Sequence, residues 1–225
     1  VDYATVGFSA NPVDIAPGET ITIALTFKMP KKGDATQWPI YSGYVIATPK
    51  TVGSVAVHVP YTGLKGDFSQ IPIQDTDAAW PQLDVRDVNG NLIPVAPGTQ
   101  LDVSGPTIEY LPVIAVREVS PTPRFTIRVY DQRHVFQGYL YSPDLGVANV
   151  TLGRTSTDGP EQWTWLGQIV RDGDSTVITL PSTGFRLEVA SQRKYTPGVY
   201  PQDFEIFDLG VWFITTTSSN PVTSN

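Results

Sequence analysis

Two histidines, His58 and His134, and no cysteine bound the chemistry open to the side chains of this 225-residue chain. A Ser-His-Asp hydrolase needs an imidazole within hydrogen-bond reach of an activated hydroxyl. His58 sits mid-run between Val57 and Val59, and neither a Gly-x-Ser-x-Gly elbow nor a Gly-Thr-Ser-type nucleophile motif occurs anywhere. Both histidines therefore read as strand-face residues satisfied by neighbours or water, and no catalytic residue is expected. Zinc lacks its ligands, since there is no thiolate and the two imidazoles are far apart in sequence. Calcium needs clustered oxygens, which Asp84, Asp87 and Asn89, or Asp172 and Asp174, carry. Asp and Asn beside Gly are ordinary turn formers, however, and residues 84–91 lack the acidic spacing of an EF-hand. No metal and no cofactor is expected.

Two further features bear on ligands and modification. Of the five tryptophans, Trp163 and Trp165 stand two apart. In a strand that spacing puts both rings on one face, where an exposed pair would stack on a glycan and a buried pair would belong to a sandwich core. Core is the preferred reading. Asn149-Val150-Thr151 is the one N-glycosylation sequon.

The elements that would carry these residues are short strands. Twenty Pro and nineteen Gly cut the chain into short runs, which alternate at period two and are rich in Val, Ile, Thr, Tyr and Phe. The class is all-β. Residues 3–8, 21–27, 41–48 and 54–61 read as four strands of a first module. In the last of these, Val55, Val57 and Val59 share one face and are expected to be core. A fibronectin-III-like or immunoglobulin-like sandwich takes about seven strands, so the first module is expected to lack strands. Val1 then reads as something other than a natural domain start. The missing strands would come from upstream chain, or from a separate polypeptide covering the open sheet edge.

The strand signal fades over residues 64–80, which places the division at 1–78 and 79–225. Asn89-Gly90 between alternating runs reads as a hairpin with a type I′ turn. Eight further runs follow, at 111–116, 124–130, 135–141, 147–152, 163–170, 176–180, 184–190 and 211–216, enough for a complete sandwich. Phe125, Ile127 and Val129 alternate with Thr126, Arg128 and Tyr130, and Phe185, Leu187 and Val189 with Arg186 and Glu188. One sheet face is expected buried and the other wet. The tail beyond Ile214 has the composition of a linker.

Composition agrees with a globular chain, at 40% hydrophobic and 16% charged residues. Twenty-two acidic against fifteen basic residues give a net charge of −7, the wrong sign for gripping phosphates, so no nucleic-acid partner is expected. No apolar run approaches the roughly eighteen residues of a membrane span, and no membrane partner is expected.

Two sets of residues go further. Pro39-x-Tyr41-Ser42-Gly43-Tyr44 followed by Val59-Pro60-Tyr61-x-Gly63 resembles the fibronectin-III-like region that follows the catalytic domain in large secreted subtilisin-like serine proteases, the subtilase family. Trp165-Leu166-Gly167, then Leu180-Pro181-Ser-Thr-Gly184-Phe185-Arg186-Leu187, then Asp203-Phe-Glu-Ile-Phe207 is similar to a later fibronectin-like domain of the same family. Here Phe185 replaces a tyrosine, an extra residue precedes Gly184, and none separates Gly184 from Phe185. The resemblance implies an extracellular, non-catalytic accessory region. Its β-modules would pack on and stabilise an upstream subtilisin-like catalytic domain, or a separate N-terminal fragment of the same protein, and shape substrate access. The alternative is an extracellular glycan-binding or adhesion β-module. That reading calls for Trp163 and Trp165 to be exposed and for a first module that closes by itself.

Overall fold

The computed structural model describes residues 3–76, 80–103, 111–155 and 159–216. The protein is all-β, with seventeen strands among the described residues and only two single-turn 3₁₀ segments, Ala35–Gln37 and Phe68–Gln70. No helix there is long and apolar enough to cross a membrane. The linker-like end from residue 217 onward lies outside the described residues.

The chain divides into two units, Val1–Phe68 and Ser69–Asn225. The division falls ahead of the position suggested by the fading strand signal because Ile73 and Gln74, in that low-signal stretch, are already buried in the second unit. Backbone bonds from the Val119 N–H to the Ile73 carbonyl and from the Asp75 N–H to the Arg117 carbonyl are made there too.

The first unit holds two antiparallel pairs. Strand β1 (Thr5–Phe8) pairs with β2 (Leu25–Lys28), and β3 (Ile40–Ala47) with β4 (Val57–Leu64). Phe27 of β2 touches Tyr61 of β4 with ring centroids 4.9 Å apart. The turn before β3 is built by Asp34, whose carboxylate accepts from the Thr36 N–H at 2.9 Å and the Thr36 hydroxyl at 2.7 Å. Lys65, just past β4, donates through Nζ to the carbonyls of Lys31 and Lys32 at 2.7 and 3.0 Å, tying that turn to the strand exit.

The second unit is a two-sheet sandwich. Its smaller sheet runs β13 (Glu161–Thr164), β8 (Leu111–Val116), β5 (Gln82–Arg86), β6 (Leu92–Pro94). The larger runs β15 (Val177–Thr179), β14 (Gln168–Val170), β10 (Phe136–Ser142), β9 (Thr122–Asp131), β16 (Gly184–Gln192), β17 (Phe204–Thr215), β7 (Gln100–Asp102). Beside these, β11 (Gly146–Val147) pairs with β10, and β12 (Asn149–Leu152) takes over the flank of β9 from β10. Leu83, Ile114, Val116 and Trp163 of the small sheet pack with Phe125, Ile127, Val129, Leu187, Val189 and Trp212 of the large one in a single core. The alternation along β9 and β16 that predicts one buried face is what puts those side chains there.

Three expectations need correction. The run 163–170 is two strands in different sheets, because the chain turns a corner at Gly167, whose φ of +68° suits a residue without a Cβ. The Asn89-Gly90 hairpin does not use a type I′ turn, which needs positive φ at both central residues. Only Gly90 has it, at +86°, and Asp87 N–H reaches the Asn91 carbonyl at 3.0 Å around a three-residue loop, the type I turn with a following glycine bulge. The last strand begins at Phe204 and not at Val211, since a bulge that leaves Leu209 unpaired beside Gly210 (φ +84°) is absorbed opposite Leu187 and Glu188.

Candidate functional site

The hairpin β3–β4 carries the most distinctive sequence pattern, and its geometry explains that pattern. In register, Tyr41 stands opposite Gly63 and Gly43 opposite Tyr61. Each tyrosine ring lies over the glycine of the facing strand. A Cβ on Gly63 would meet the Tyr41 ring at 2.3 Å, and one on Gly43 the Tyr61 hydroxyl at 2.6 Å. The two Tyr/Gly pairs are therefore reciprocal, each ring covering backbone that a side chain would otherwise hide.

What the hairpin does not do is bury a core. Among the described residues of the first unit none is buried. On one face Val57 and Val59 remain 59% and 52% exposed, and on the other Ile40 and Tyr44 are 75% and 65% exposed. The valine row expected to be core is thus uncovered, and so is its reverse. A shallow depression of about 430 Å³ runs across the hairpin beside Tyr44, Pro60 and Tyr61. Both faces of the hairpin thus present exposed apolar side chains to their surroundings, with Phe27 of β2 reaching only the Tyr61 end of the valine face.

His58 lies on β4 opposite Ile46, its ring 6.0 Å from that of Tyr44. His134 is not a strand-face residue. It occupies a turn at φ +64°, its N–H bonded to the Asp131 carbonyl and its ring 4.9 Å from Tyr130. This loop repeats the one at residues 87–91, with His134 where the other has Gly90. In both, an Asp side chain caps two amides: Asp87 those of Asn89 and Asn91, Asp131 those of Arg133 and Val135.

Three of the carboxylates considered for calcium, Asp84, Asp87 and Asp174, accept hydrogen bonds from their own neighbours. Bonds from the Asn91 side chain and backbone hold the Asp87 carboxyl below its usual range, and those from Thr176 and Ser175 do the same for Asp174. Asp84 is buried within β5, where desolvation pushes its carboxyl up. Among the described residues no group of three or more His, Asp or Glu is placed to hold a metal ion.

Trp163 and Trp165 are core, 2% and 0% exposed. Trp163 sits against Phe125 at 5.7 Å between ring centroids, and Trp165 donates to the Gln168 carbonyl at the corner. Neither ring presents a face to a sugar. Asn149, on β12, accepts from Arg124 Nε at 2.9 Å through Oδ1.

The outer face of the large sheet, expected wet, is largely covered. Thr126, Tyr130 and Glu188 are buried there, and the Arg128 guanidinium lies between the rings of Phe136 and Tyr200, 4.2 and 3.8 Å from their centroids. Tyr130 and Tyr200 both donate to the Glu188 carboxylate, and Arg128 Nε donates to the Tyr130 hydroxyl at 2.8 Å. Burial, then the bond to Glu188, pushes the Tyr200 phenol far above its ordinary value. This network clamps residues 193–203 onto the sheet. The alternation in β9 marks Arg128 and Tyr130 as a polar row, but it carries no sign of the distant Tyr200 that caps them.

The chain matches no protein-family model, no curated protein and no solved structure.

Proposed function

We propose that this chain is the non-catalytic accessory β-region of a secreted subtilisin-like serine endopeptidase, and that its first unit is completed by another segment of that protein. The segment would be the upstream catalytic domain or a separately cleaved N-terminal fragment. The observation that carries this reading is the uncovered first unit: apolar side chains stand exposed on both faces of β3–β4 while no described residue of that unit is buried. A β-layer in this condition is stable only when a partner covers it. The reciprocal Tyr41/Gly63 and Gly43/Tyr61 pairs support the resemblance, since they give the motif residues one shared structural purpose. A charge of −7 and an apolar, uncharged hairpin surface favour a protein partner over nucleic acid. The glycan-binding alternative has lost the two rings on which it was built.

Purification of the parent protein from its source, followed by intact mass and N-terminal peptide analysis, tests the reading. Recovery of a chain or co-purifying fragment bearing a Gly-Thr-Ser-type motif in equal amount supports it. Isolation of these residues alone, with β3–β4 amides as protected from exchange as those of β9 and β16, sinks it.

A further inference from the structure

Residues 73–75, near the start of the second unit, are held by buried polar groups that the docking reading does not use. Ile73 and Gln74 donate their backbone N–H groups to the two carboxylate oxygens of Glu205 on β17, both at 3.1 Å. Gln74 Nε2 donates to Ser191 Oγ on β16 and to the Glu205 carbonyl, both at 3.2 Å. Ser191 Oγ donates onward to Glu118 Oε1 at 2.7 Å. Glu118 faces Gln74 across an isolated β-bridge and is 1% exposed. Two acceptors of this cluster, Glu118 Oε2 and Gln74 Oε1, are buried without a hydrogen-bond partner. Buried acceptors left unpaired call for a missing donor, and a proton on Oε2 of Glu118 would supply one.

We propose that residues 73–75 form a proton-gated clasp, docked against β16 and β17 while the Glu118 carboxyl is neutral and loosened when it ionises. Ionisation would strand a negative charge beside Glu205, whose own carboxylate holds the clasp. The other charged groups around it are Glu161 at the start of β13, Arg117 paired with Asp75 at 3.4 Å, and Arg193, whose Nη1 is 3.9 Å from Glu205. Both cations thus already have carboxylate partners. Burial pushes the Glu118 carboxyl from 4.5 up to about 7; the Ser191 hydroxyl pulls it down, and Glu205 and Glu161 add to the rise. A carboxyl raised in the docked state favours docking at low pH, and that preference is lost as pH climbs from about 4.5 to about 7, above which docking no longer changes with pH. One pK unit is tenfold, so the rise from 4.5 to about 7 sets a ceiling of roughly 300-fold on the change in the docking equilibrium.

Amide hydrogen exchange on the whole chain, corrected for intrinsic rates and followed from pH 5.5 to 9, tests the clasp. Protection of the Ile73 and Gln74 amides is expected to fall by up to about tenfold between pH 6 and 9, most of it below pH 7, while amides of β9 and β16 keep theirs. Glu118→Gln removes the fall. Ser191→Ala, which deletes the hydroxyl favouring the ionised form, moves its midpoint to higher pH. Flat protection in the unaltered chain overturns the clasp, as does an equal fall in β9 and β16, or a Ser191→Ala midpoint that stays or moves down. The Ser191 variant keeps the test decisive if Glu118→Gln does not fold.

Discussion

His134 is held in a backbone conformation that its own side chain disfavours. At φ +64° it stands where the matching loop has Gly90, and residues with a Cβ carry about 1–2 kcal/mol of strain there. His134→Gly is therefore expected to leave stability unchanged or raise it by up to about 1 kcal/mol. His134→Val should lower it by about 1–2 kcal/mol, because β-branching aggravates the same strain. Urea denaturation of the chain reads both, and a valine variant as stable as the parent would refute the account. Gly167 is more constrained. Besides its positive φ, a Cβ there would sit 2.8 Å from Thr216 Cγ2 and 2.9 Å from Ile214 Cδ1. Strain and overpacking together predict a loss of about 2–4 kcal/mol for Gly167→Ala, measured the same way. That glycine is visible in the sequence as part of Trp165-Leu166-Gly167, but its work as a corner between sheets is not, since it depends on which strands lie on either side.

At the level of strands, alternation was a good guide wherever it met a buried face. Phe125, Ile127 and Val129 read as core and are core. It misled where a polar row is buried by its own internal bonding, as at Arg128, Tyr130 and Glu188, and where a bulge at Gly210 interrupts a strand without ending it. The Arg128 network gives a test of this covered face. Arg128→Met leaves the Glu188 carboxylate buried without its cation, and removing one partner of a buried pair is costly. A loss of about 2–4 kcal/mol is expected, with faster cleavage in residues 193–203 under limited proteolysis. The double variant Arg128→Met with Glu188→Gln should recover part of that loss. If the single variant is as stable as the parent and its loop no more open to cleavage, the clamp has no energetic weight.

At the scale of the molecule, a sandwich with a filled core contrasts with a first unit in which no described residue is buried. The all-β class could be read from the composition and from the spacing of turns. The open state of the first unit could be anticipated by counting four strands, yet the valine row of β4 read as core because sequence shows which face is apolar and never whether anything lies on it. Limited proteolysis of the isolated chain should therefore cut within residues 1–68 first and leave a resistant product starting near residue 69. Equal resistance of both units would contradict the exposure described here.

The parallel pairing of β7 with β17 sets when the large sheet can close as the chain is made. Phe213 lies beside Gln100 and Ile214 beside Leu101, so one margin of the large sheet waits for a strand that leaves the ribosome more than a hundred residues later. Until then β16 has an open flank, and the pocket that Trp212 and Ile214 fill stands empty. A nascent chain arrested before Phe204 is thus expected to recruit chaperones, whereas one extended well beyond Thr215 snaps shut.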